Sequence, residues 1–230
     1  MRWRRPDGSL VRPDLFIPLA EESGLILPIT DQVVEAVISD LKAHLVTDRS
    51  LHVAINVSAA DVKTGRILPV IGKALKGTGI EPRQIWLEAT ERGFMDIESA
   101  RAAITLARQQ GYFVAIDDFG TGYSSLQYLQ GLPLDALKID KSFVHMIGRE
   151  TATSSVISHV IAMARALDLR IVAEGVEKEY QASYLAAHQV EFAQGWLYSK
   201  PLPAADFIAF HRRSRERGER RPAARREAAA

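Results

Sequence analysis

Two hydrophobic periods alternate along this chain. Short apolar runs recur at residues 51–57, 84–90, 113–119, 136–139, 170–174 and 191–194, several of them apolar on both faces, as the strands of a buried parallel sheet are. Longer segments between them carry apolar residues at helical spacing. Over residues 31–46 Val33, Val34, Val37, Ile38, Leu41 and Leu45 share one helical face, with Thr30 as the expected N-cap. Thr153 precedes a similar stripe of Val156, Ile157, Val160, Ile161, Ala164 and Leu167. Strand and helix in alternation predict an α/β fold of the TIM-like (β/α) barrel type. Six strands, with a helix ahead of the first, leave such a barrel short at its front, so it is expected to lack the first strand in this chain.

Each predicted strand is apolar until its end, where a polar group appears: Asn56, Glu88 with Glu91, Asp117 with Asp118, Lys138 with Asp140, Glu174 with Glu177, and Gln194. In a parallel barrel the carboxyl ends of all strands converge on one rim, where the chemistry of such folds is placed. Each residue taken alone reads as a helix cap or a surface ion pair. Six in succession point instead to one shared site.

Several desolvated carboxylates in one bowl repel each other unless a cation compensates them. An all-oxygen donor set, with Asn56 offering an amide carbonyl, favours magnesium or manganese over zinc or copper. The chain has no cysteine and six histidines without a paired spacing. Lys138 ends a buried strand, so its stem would be enclosed and its ammonium would enter the acidic bowl. There it would hold a water, steady charge on a phosphate, or form a structural ion pair with Asp140 or a rim carboxylate. The glycine-bearing loop from Asp117 to Ser125 fits neither the Walker pattern nor the dinucleotide fingerprint, and reads as a regulatory or dimer-forming loop.

Composition sharpens the boundaries. With 230 residues and 47% apolar side chains, one catalytic domain with one large core is the default. The net charge of +1 hides an asymmetry: residues 212–230 hold eight arginines against three glutamates, and residues 1–211 hold 21 basic and 25 acidic groups. Residues 212–230 lack apolar periodicity and are expected to form a disordered, arginine-rich tail. The absence of cysteine, of a long apolar stretch and of a charged-then-apolar leader leads to an expected cytoplasmic location, with no membrane contact from this segment.

The order of these residues resembles the EAL family of cyclic di-GMP phosphodiesterases, over about residues 1–211. The matching stretches are Phe16-Ile17-Pro18-Leu19-Ala20-Glu21-Glu22, Asn56-Val57-Ser58, Glu88-Ala89-Thr90-Glu91, Asp117 to Ser125, Lys138-Ile139-Asp140, Glu174-Gly175-Val176-Glu177, and Gln194-Gly195 followed by Lys200-Pro201. The resemblance implies a domain spanning residues 1–211 that hydrolyses cyclic di-GMP to linear pGpG, by in-line attack of a water activated at a two-metal magnesium or manganese site. It implies Asn56, Glu88 and Asp117 as ligands of one ion, and Asp118 and Glu174 with the bridging Asp117 for a second.

The same resemblance gives Lys138, Glu174 and Asp118 catalytic roles, Arg2 and Gln194 substrate contacts, and Glu91 and Glu177 loop-stabilising roles. Its implied partners are cyclic di-GMP and a second copy of the chain in a homodimer, with no nucleic-acid polymer. The family's Glu-Ala-Leu, whose glutamate is a metal ligand, is expected immediately ahead of Met1 and does not occur in this sequence. The alternative is therefore a catalytically inactive cyclic di-GMP receptor or protein-interaction module.

Overall fold

The computed structural model describes residues 1, 3–94, 96–120, 126–148 and 156–219. The chain divides into two units, Met1–Tyr198 and Ser199–Ala230. Arg2, Thr153 and residues 121–125 of the glycine-bearing loop lie outside the described residues.

The first unit opens with a short antiparallel hairpin of β1 (Trp3–Arg4) and β2 (Leu10–Val11), followed by helices α1 (Pro13–Glu22) and α2 (Ile26–Thr47). Pro13 sits in the first turn of α1, where its missing N–H costs nothing. The start of α2 differs from the expected one. It begins at Ile26, and the Thr30 hydroxyl donates to the Ile26 carbonyl at 2.9 Å instead of capping. Ile26 and Thr30 extend the buried stripe of Val34, Ile38, Leu41 and Leu45 backwards by one turn. Packing of that stripe overrides the local preference of threonine for a cap.

Six strands then form one parallel sheet in sequence order: β3 (Val53–Asn56), β4 (Ile85–Thr90), β5 (Phe113–Phe119), β6 (Ala136–Ile139), β7 (Arg170–Ala173) and β8 (Phe192–Ala193). All six fall on the predicted runs. The connections carry α3 (Ala59–Thr64), α4 (Ile67–Leu75), α5 (Ile97–Gln109), α6 (Leu126–Gly131), α7 (Lys141–Val144), α8 (Val156–Ala166) and α9 (Glu179–Ala187). The result is a curled part-barrel of six parallel strands with β3 and β8 at its two edges, in agreement with an α/β fold of the TIM-like type.

Because side chains alternate along a strand, the sheet has two unlike faces. One carries Ile55, Ile85, Leu87, Val114, Ile116, Leu137, Ile139 and Ile171, all buried, each such side chain contributing about 1.5–3 kcal/mol. The other face carries Trp86, Ala115, Ala136 and Val172 as a buried cluster, joined by Phe113 and Phe192. Trp86 lies stacked against His52 at 4.1 Å and Phe113 at 4.6 Å. Two residues further along each of these strands come Glu88, Asp117, Lys138, Glu174 and Gln194. The aromatic layer is thus the apolar floor of the polar bowl.

In the second unit the described element is α10 (Ala204–Glu219), with Phe207 stacked on His211. Disorder was expected from Arg212 onward, but residues 212–219 continue this helix. Arginine and glutamate are good helix formers, and elongating an existing helix needs no new nucleus. The expected domain end at residue 211 therefore falls within α10. Among the described residues no helix is long and apolar enough to cross a membrane.

Candidate functional site

Lys138 lies at the centre of the site. Its strand, Ala136–Ile139, is buried throughout, so the lysine stem is enclosed and only the ammonium meets polar partners. That ammonium is 2.6 Å from Glu174 Oε1, 2.7 Å from Glu88 Oε2 and 2.9 Å from Asp117 Oδ1. Three carboxylates, from β4, from β5 and from just after β7, converge on one cation that is 3% exposed.

The charges do not balance. Burial alone would lower the pKa of the Lys138 ammonium, but Glu88, Asp117 and Glu174 outweigh burial and raise it. Burial pushes the carboxyls of Glu88 and Glu174 up, although Lys138 pulls each of them down. Asp118 is also pushed up, by burial and then by Asp117 and Asp140. Burial makes the charged forms of these acids costly, and one ammonium is shared by three carboxylates, Glu88, Asp117 and Glu174.

Oxygens of Asp117, Asp118 and Glu174 lie within 4.8 Å of one another. Asp118 adopts a left-handed backbone, φ 53°, uncommon for a residue other than glycine, and its N–H donates to Asp117 Oδ1 at 2.9 Å. This conformation falls at the register shift between Ile116 and Phe119 within β5. Gln194 Nε2 donates to Glu174 Oε1 at 2.9 Å, which brings the end of β8 to the same cluster. Asn56 is paired in register with Glu88 across β3 and β4, so both share the inner face, and Asn56 is exposed there.

The remaining predicted residues surround this cluster. Glu91 Oε1 accepts the Gly120 N–H at 2.9 Å, tying the turn after β4 to the turn after β5. Glu177 faces His145 Nε2 at 3.8 Å and belongs to the turn after β7, outside the carboxylate group around Lys138. Asp140 caps α7, accepting the Ser142 N–H at 2.9 Å, so Lys138 pairs with the rim carboxylates instead.

Two residues that the pattern of strand ends did not single out support these turns. His145 Nε2 lies 3.1 Å from the Gly175 carbonyl. Buried Gln181 accepts the N–H groups of Glu177 and Lys178 at 2.9 Å each and donates to the Val144 carbonyl at 3.2 Å. A glutamine on a helix facing a turn carries no period-two signal, so only its place three residues after the N-cap Lys178, whose N–H it accepts, hints at it.

The EAL domain family model matches residues 1–201. The chain is 42% identical over 207 residues to the probable cyclic di-GMP phosphodiesterase PdeB of Escherichia coli (strain K12), covering 90% of this chain and 39% of that relative. It therefore spans well under half of that protein's length. Among solved structures it resembles the PaMucR phosphodiesterase in its c-di-GMP complex, with a TM-score of 0.83, 35% identity, and 90% of this chain and 84% of that chain covered. It also resembles the EAL enzyme Bd1971 in its cAMP- and cyclic-di-GMP-bound form, with a TM-score of 0.85, 34% identity, and 90% and 58% covered.

Proposed function

The chain belongs to the EAL domain family, and from that premise we propose that it hydrolyses cyclic di-GMP to linear pGpG in a reaction dependent on magnesium or manganese. The observation that carries this reading is the shared ammonium of Lys138 among Glu88, Asp117 and Glu174, at the mouth of a parallel part-barrel. The activities that the relatives' names state support it.

The donor set fits hard divalent cations. Its oxygens are close, its carboxyls outnumber the local positive charge, and no thiolate is available. Asn56, Glu88, Asp117, Asp118 and Glu174 would hold the ions. When bound, they would lower the pKa of a coordinated water and offset phosphate charge.

The chain's own residues do the rest. Lys138 keeps an ammonium beside the carboxylates, where it orients a water by hydrogen bonding and attracts a phosphodiester. Gln194, held to Glu174, presents its amide to the substrate, and Arg2 is its expected companion. The apolar floor of Trp86, Phe113 and Phe192 keeps bulk water from beneath the reacting groups. Hydrolysis adds the water oxygen to one phosphorus, breaks its bond to the ribose 3′ oxygen, and leaves a proton on that oxygen. A homodimer, in which the loop from Asp117 to Ser125 takes part, belongs to the same reading.

The test is incubation of the purified chain with cyclic di-GMP and either ion, with separation of the nucleotides, alongside Glu88→Gln. Formation of pGpG by the wild type and its loss in the variant are expected. Tight binding of the dinucleotide without pGpG, with both ions, would replace catalysis by a receptor function.

A further inference from the structure

The turns that follow β5 and β7, next to Asp118 and Glu174, come from different strands, yet both rest on the same four-residue helix. Helix α7 follows Lys138 by three residues and is fixed at its start by Asp140. On one side lies Gly120, φ 94°, where an added Cβ would stand 2.7 Å from Cε2 and Cζ of Phe143. On the other lies Gly175, φ 67°, where an added Cβ would stand 2.4 Å from Cβ of Lys141. Both approaches are closer than any side chain permits, so the backbone of each turn lies directly against α7.

Hydrogen bonds hold the helix in that position. His145, immediately after α7, reaches the Gly175 carbonyl, and Gln181 joins the Val144 carbonyl to the Glu177 turn. Glu91 holds the Gly120 N–H. Gly120, two residues after Asp118, is therefore held by the Glu91 carboxylate and packed on the Phe143 ring, while α7 is anchored to the turn that follows β7.

We propose that Phe143 is a positioning residue that, by packing on Gly120, keeps Asp118 in its left-handed conformation at a fixed separation from Glu174, and so sets the affinity of the site for a divalent cation. Phe143 itself touches neither substrate nor reacting atoms. The inference rests on the cation-dependent reading above. It deepens that reading by naming the element that gives the turns after β5 and β7 one common support.

The experiment is Mn2+ titration of the full 230-residue chain by calorimetry, for the wild type, Phe143→Ala and Phe143→Leu, with thermal melts and cyclic di-GMP hydrolysis measured on the same samples. Losing the ring is expected to weaken the tightest Mn2+ binding about tenfold or more, the range seen when supports of metal ligands are removed. Leucine, which still fills the space beneath Gly120, is expected to recover most of that loss. Where hydrolysis is present, the Mn2+ concentration for half-maximal rate should rise, with KM for cyclic di-GMP unchanged at saturating Mn2+.

Unchanged Mn2+ affinity in Phe143→Ala, or leucine as damaging as alanine at equal melting temperature, overturns the inference and leaves the proposed activity standing. Wild-type Mn2+ binding with the expected variant series but no pGpG supports the inference and overturns the activity. Failure of the wild type to bind Mn2+ overturns both.

Discussion

Lys138 on β6 and Glu174, just after the adjacent strand β7, are joined at 2.6 Å, and Glu174 also accepts the amide of Gln194, just after β8. Glu174 is thus the hinge between the charged centre of the bowl and its outer wall. With Glu88 from β4 and Asp117 from β5 on the same ammonium, side chains from four neighbouring strands or their ends meet around one lysine.

Replacing Lys138 by methionine should harm both stability and activity. Removing one partner from a buried charged group costs about 3–5 kcal/mol, to be read from the midpoint of urea unfolding in chelator. Saturating Mg2+ should restore part of this, because a divalent ion supplies the missing positive charge. Hydrolysis of cyclic di-GMP should fall by about a hundredfold or more. Retention of near wild-type rates would exclude Lys138 from the reaction.

Stability without divalent ions should fall as pH rises. Burial raises the folded-state pKa of Glu88 and Glu174 above their ordinary value of 4.5, so the folded chain holds these protons more tightly than the unfolded one. Their contribution is full below pH 4.5 and is lost as pH climbs through the raised folded values. Melts in chelator should show a shallower decline from pH 4.5 upward in Glu88→Gln than in the wild type. Equal slopes would mean that Glu88 titrates normally.

Glu91→Ala should lower kcat more than it raises KM. The carboxylate accepts the Gly120 N–H, and a hydrogen bond to a charged group is worth about 1.5–3 kcal/mol. Glu91→Gln keeps an acceptor and should recover part of the rate. A change confined to KM would argue that Glu91 acts on substrate binding instead.

Gly195→Ala should be among the most damaging single substitutions. An added Cβ would lie 2.2 Å from the Val176 carbonyl oxygen and 2.3 Å from its nitrogen, and both are backbone atoms that cannot swing away. Strain of this kind costs about 1–3 kcal/mol before any displacement of Gln194. Thermal melting and binding of cyclic di-GMP should both decline, and an unaltered melting temperature would contradict the close approach.

Much of this was legible in the residues alone. Period-two and helical patterns located all six strands of the sheet, because strands buried on both faces must be apolar until they reach the rim. Asn56, Glu88, Asp117, Lys138, Glu174 and Gln194 stood out because each interrupts an apolar run at the same point. The early start of α2 and the helical path of residues 212–219 were not legible. The first depends on a buried stripe contributed by distant packing, and the second on elongation from a helix already formed.

The residue pattern alone set which polar groups stand at the rim, since strands apolar on both faces admit polar side chains only at their ends. It also determined the chemistry on offer: oxygen donors and a single buried lysine, without thiolates. Tertiary structure alone decided how those groups pair. That Lys138 binds Glu88, Asp117 and Glu174 while Asp140 turns away to cap α7, and that Gly120 and Gly175 rest on that same helix, follows from strand register and helix packing. These are distances between segments far apart in the chain, and no local pattern encodes them.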